Sequence, residues 1–184
     1  MNKLLNIALS TEWKKNVDNI SCTPEVASWL VDQASLTKKL EAKAENFSVE
    51  VKLQTKTDTK QDALSSYFPS SETVLVREVL LKCNHVANVF AQTEIPQQTI
   101  SSKYQQLEHI GEEPLGKFLF QEKSLKRGEI EVAEFLVGSP IHQLCESLQQ
   151  TCHHSLWARR SLFYIENNPL LVTEVFLPAS GIYQ

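Results

Sequence analysis

Two β-rich runs, Thr73–Cys83 (TVLVREVLLKC) and Val86–Pro96 (VANVFAQTEIP), are separated only by Asn84 and His85. So short a connection joins antiparallel neighbours alone, because a parallel crossover needs a dozen or more residues. A second pair of the same kind follows near the end, with LWARRSLFYI and PLLVTEVFLP meeting at the turn ENNP. From Phe47 the chain alternates Phe47, Val49, Val51 and Leu53 with polar residues, the period of a half-buried strand. RGEIEVAEFLV resumes that alternation further on. The backbone of the fold is therefore an antiparallel sheet, and no alternation of strand and helix supports a parallel one.

Helices fill the intervals. Thr23, Pro24 and Glu25 supply an N-cap, a first-turn proline and an early acid ahead of Val26, Trp29, Leu30 and Val31, which predicts a first helix ending before SLTKKLE. Residues 97–120 carry two helical patterns, the second opened by Pro114 in EEPLGKFLF. Ser139 and Pro140 start PIHQLCESLQQTCHH, whose Ile141, Leu144, Cys145, Leu148 and Cys152 share one helical face; a helix of roughly four turns over 139–154 is expected. The predicted fold class is α+β, a single domain over 1–184 with helices mainly on one face of the sheet.

Composition narrows the function classes. With 184 residues, 42% hydrophobic, 22% charged and a formal net charge of −4, the chain reads as an ordinary globule and not as a basic nucleic-acid binder. No run approaches the ~18 apolar residues of a membrane span, and the N-terminal apolar stretch is too short for a secretory signal, so a cytoplasmic location is expected. Cys22, Cys83, Cys145 and Cys152 read as reduced thiols, and the Cys145, Cys152, His153, His154 cluster lacks a metal-ligand spacing, so no metal is expected. Glycine-rich phosphate loops, nucleophile elbows and zinc-protease motifs are absent.

Misplaced charges are what remain. Arg77 shares the period-two face of Leu75, Val79 and Leu81, and Glu174 that of Leu170, Val172 and Phe176. A buried guanidinium needs an anion. Either Arg77 and Glu174 pair with each other or lie on solvated faces, or they face one cavity as the cationic and polar ends of a small-molecule site. Glu78 competes on the opposite face with Val74, Val76 and Leu80, and alternation alone leaves both faces open as the buried one. Arg159 and Arg160 alternate sides of their strand, and one of the two is expected to serve only an edge charge or a structural ion pair. His85 and His109 read as surface residues.

SLTKKLE, VLVREVLL, EEPLGKFLF, LWARRSLF and LLVTEVFLP occur in an order that resembles the chorismate pyruvate-lyase family, over nearly the whole chain. The resemblance implies conversion of chorismate to 4-hydroxybenzoate and pyruvate, the opening step of bacterial ubiquinone synthesis, without cofactors. It implies an antiparallel sheet with helical flaps over an enclosed pocket and a monomer that binds chorismate and 4-hydroxybenzoate. By position, Arg77 would hold the ring carboxylate and Glu174 the 4-hydroxyl, as hydrogen-bond partner or as general base, while Leu36 and Leu115 would supply lid and wall. Leu36 stands where some relatives carry methionine, a volume-conserving exchange. Gln92 stands where a relative can carry arginine, and so would not supply a second fixed charge to substrate. The 139–154 helix looks inserted between strands that relatives join more directly. Two other readings are a non-catalytic ligand sensor, since the architecture also resembles effector-binding domains of transcription regulators, and a structural relative in which Arg77 and Glu174 pair. The sensor reading expects an attached DNA-binding module, and no basic helix-turn-helix segment is expected before residue 20 or after Gln184.

Overall fold

The computed structural model describes residues 7, 11–15, 20–58, 67–68, 73–102 and 104–184. Among these residues seven strands form one antiparallel sheet: β1 (Phe47–Asp58), β2 (Thr73–Cys83), β3 (Val86–Pro96), β4 (Lys126–Arg127), β5 (Glu131–Phe135), β6 (Leu156–Ile165) and β7 (Asn168–Phe176). Their order is β1-β2-β3-β7-β6-β4, with β5 also bordering β6. Both expected hairpins form. Asn84 and His85 take φ of 50° and 69°, and Glu166 and Asn167 take 49° and 71°. Consecutive left-handed residues give the turn twist that long antiparallel strands require, and asparagine tolerates that region well.

Two strands depart from plain alternation. In β1 the register against β2 shifts between Val51 and Leu53, so Val51 opposes Val79 but Leu53 opposes Glu78. This bulge at Lys52 turns Leu53 to the face opposite Val49 and Val51, where period-two reading had kept them together. RGEIEVAEFLV is likewise broken. Arg127 opposes Phe163 and Glu131 opposes Arg160, so one extra residue lies between β4 and β5, and Leu136 and Val137 run on as exposed chain.

Helices α1 (Pro24–Leu30), α2 (Leu36–Glu41), α3 (Gln97–Ser102) and α4 (Leu115–Leu119) cover the front of the sheet. Thr23 caps α1 and Ser35 caps α2 by accepting from the amides of Val26 and Lys38, so SLTKKLE, which the sequence reading left between elements, is a helix in its own right. Val31, expected on the apolar stripe of α1, is its exposed C-cap. Helix α5 (Pro140–Ser147) packs Ile141 and Cys145 on the rear against Phe90, Phe135 and Val175. It is about two turns long rather than four, ending where Gln149 turns to φ 58°. Both faces of the central strands are thus buried. No helix among the described residues is long and apolar enough to cross a membrane.

Candidate active site

A small cavity, about 50 Å³, lies between the front of the sheet and the short helices. Its floor is Val79, Ala91 and Val172 from three adjacent strands, and its roof is Leu36, Leu115 and Phe120. Leu36 opens α2 and Leu115 opens α4, and both side chains are buried, so each sequence-predicted wall residue does line the cavity. The roof helices touch closely. A Cβ built on Gly116 would stand 2.5 Å from Thr37 Oγ1, so glycine is what lets α4 approach α2.

Arg77 and Glu174 also line the cavity. Because β3 separates β2 from β7 and Glu174 sits one row along, opposite Ala91 while Arg77 opposes Thr93, their backbones start about 10 Å apart across the sheet and about 7 Å apart along it. They do not pair. Arg77 is 2% exposed, and one terminal nitrogen donates to the carbonyls of Gly111 (2.7 Å) and Glu113 (3.2 Å), the segment leading into α4. Its Nε is buried with no hydrogen-bond partner, and no carboxylate reaches it, among the described residues. Burial pulls its pKa down to about 10, which leaves the cation charged at neutral pH. A guanidinium so placed retains donors for an anion in the cavity.

Glu174 is oriented by Arg159, whose Nε donates to Oε2 at 2.6 Å. Arg159 in turn donates through Nη1 to the carbonyls of Trp29 (2.8 Å), in the last turn of α1, and Asp32 (2.7 Å), just beyond it. Among the described residues this bond engages one carboxylate oxygen, so the other can accept from a ligand hydroxyl. Strand alternation places Arg159 on one face with Trp157, Ser161 and Phe163 but names no partner for it. The missing information was register. Only the pairing of β6 with β7 sets Arg159 directly opposite Glu174.

The remaining candidates fall elsewhere. Glu78 lies on the rear face and accepts from Gln92 Nε2 at 2.8 Å. Gln92 therefore points away from the cavity, and its amide bears on the rear packing rather than on how a front-side carboxylate is held. Arg160, also rearward, donates to Glu131 (2.7 Å) and to the Tyr67 hydroxyl (2.7 Å), so both arginines of the pair make buried contacts and neither is an edge charge. His85 and His109 are exposed.

Comparison with known proteins identifies the family. The family model described as "Chorismate lyase" matches residues 7–184. A "Probable chorismate pyruvate-lyase" of Psychromonas ingrahamii is 50% identical over 177 residues, 96% of this chain and 95% of that one. A "Chorismate pyruvate-lyase" of Hamiltonella defensa is 32% identical over 184 residues, 98% and 93% of the two chains. Among solved structures, the effector domain of PhnF from Mycobacterium smegmatis superposes with a TM-score of 0.58 at 14% identity, covering 80% of this chain and 90% of that one. That likeness shows a shared fold. Sequence match over nearly the full length, at up to half the positions, places this chain in the chorismate lyase family.

Proposed function

We propose that the front cavity binds chorismate and eliminates its enolpyruvyl group, leaving 4-hydroxybenzoate and pyruvate. The observation that carries this reading is the buried Arg77, a cation whose Nε has no partner among the described residues, in a largely apolar cavity whose far end holds Glu174. Arg77 takes the ring carboxylate and Glu174 accepts from the 4-hydroxyl, so the two groups grip opposite ends of a ring. The C3–O bond breaks, the C4 hydrogen leaves as a proton, and the departing enolate gains one at its methylene carbon. No electrons are gained or lost overall. Aromatisation drives the step, so orientation and charge placement suffice and no cofactor is called for. Leu36, Leu115 and Phe120 exclude water. The setting this assigns is the opening of ubiquinone synthesis by a cytoplasmic monomer.

A ligand-sensing role is the alternative suggested by the fold shared with effector domains. One assay separates them. Purified protein incubated with chorismate is expected to release 4-hydroxybenzoate and pyruvate in equal amounts. Tight binding of 4-hydroxybenzoate without turnover would favour the sensor, and neither binding nor turnover would defeat both.

A further inference from the structure

Beside the cavity, next to Glu174 and its Phe163 wall, lies more positive charge than the protein itself neutralises. Arg127, on β4, shares the front face with Phe163, and its guanidinium carbon lies 5.1 Å from the centre of that cavity-lining ring. Its Nε donates to Ser161 Oγ at 3.1 Å and its Nη1 to the Asp32 carbonyl at 3.2 Å. That carbonyl is the one Arg159 Nη1 also reaches, so two guanidinium groups crowd a single oxygen. Arg159 has Glu174. Arg127 has no carboxylate within ion-pair distance among the described residues. The nearby Asp32 carboxylate is held instead by Lys39 at 2.8 Å. Among these neighbouring groups, Arg77, Arg127, Arg159 and Lys39 stand against Glu174 and Asp32, an excess of two positive charges, with Arg77 and Glu174 lining the cavity and Arg127 behind its Phe163 wall.

We propose that Arg127 is a second anion-binding residue of this site, which takes the enolpyruvyl carboxylate of the substrate while Arg77 takes the ring carboxylate. The inference rests on the lyase reading and deepens it. Chorismate is a dianion, and an excess of two charges suits two carboxylates held at separate points. Its enolpyruvyl group sits on the ring carbon next to the one bearing the hydroxyl, so a ring gripped by Arg77 and Glu174 directs the second carboxylate toward the Glu174 end. Two donors of Arg127 are already anchored, and the remaining terminal nitrogen is the group left to meet it. Burial, and then the neighbouring Arg159, pull the Arg127 pKa down to about 10 against the opposing pull of Glu174 and Asp32.

The test separates substrate from product, since 4-hydroxybenzoate lacks the second carboxylate. Arg127→Gln is expected to lower kcat/KM for chorismate roughly 10- to 150-fold, the range of one charged hydrogen-bond contact. Binding of 4-hydroxybenzoate, measured by calorimetry on the same protein, should change less than about threefold, and Arg127→Lys should recover part of the chorismate loss. A wild-type measurement keeps the idea exposed even if the variants fold poorly. The dianion 3-(carboxymethoxy)-4-hydroxybenzoate should bind more tightly than 4-hydroxybenzoate, with an advantage that shrinks as salt is raised. Equal losses for substrate and product in Arg127→Gln, or no preference of the wild type for the dianion, would overturn the assignment. Absence of chorismate turnover by the wild type would instead overturn the lyase reading, whereas turnover without a preference for the dianion would overturn the Arg127 assignment alone.

Discussion

Arg77 and Arg160 are both buried on central strands, yet they do opposite things. On the rear, Arg160 donates to Glu131, the Tyr67 hydroxyl donates to the same Glu131 oxygen at 2.5 Å, and Trp13 lies 4.2 Å above the guanidinium. Charge and donors are matched inside the protein. On the front, among the described residues, Arg77 has only backbone carbonyls and keeps an unused Nε. A closed cluster holds the fold, whereas an open one stores capacity for a ligand. Burial of arginine therefore says little about function until its partners are known.

The largest expected difference between them is in stability. Arg160→Met should cost about 3–5 kcal/mol, because it leaves Glu131 buried without its cation, and denaturant unfolding reads this directly. Arg77→Met removes a desolvated cation that has no carboxylate to strand, so its unfolding midpoint should move little while 4-hydroxybenzoate affinity falls roughly 10- to 150-fold. If Arg77→Met unfolded as readily as Arg160→Met, the contrast between open and closed clusters would be lost. Glu174→Gln should weaken 4-hydroxybenzoate by about tenfold yet leave benzoate nearly unchanged, since only the former carries the hydroxyl.

Smaller effects sharpen the same contrast. Gly116→Ala pushes α4 off Thr37, and faster product release with weaker binding is expected in stopped-flow traces. The rear cluster should be acid-sensitive. Burial alone would raise the Glu131 pKa, but hydrogen bonds from Tyr67 and Arg160 outweigh it and the net shift is downward from 4.5. A depressed carboxyl stabilises the fold above its unfolded pKa and loses that contribution as pH falls through its folded value. Thermal midpoints of the wild type should therefore drop below about pH 4.5 more steeply than those of Glu131→Gln.

Much of this was legible in the residues, and the failures have physical causes. Strand pairs were readable because short turns between long β-rich runs are local signals, and Arg77 was readable because a charge broke an apolar face. Bulges were not. The extra residue at Lys52, and the one between Arg127 and Glu131, redirect side chains through pairing with a distant strand. The short reach of α5 was also hidden, since its apolar spacing continues past Ser147 while the backbone leaves the helix at Gln149. Partners of the charges needed register as well. Arg159 meets Glu174, and Arg160 meets Glu131, only through strand neighbours that sequence spacing does not supply.

Calorimetric titration of 4-hydroxybenzoate into the wild type and into folded Arg77→Met tests the front-side assignment most directly. Affinity should fall roughly 10- to 150-fold in the variant, with the hydroxyl-dependent preference over benzoate retained in what binding remains. Equal affinity in the two proteins would contradict the assignment of the ligand carboxylate to Arg77.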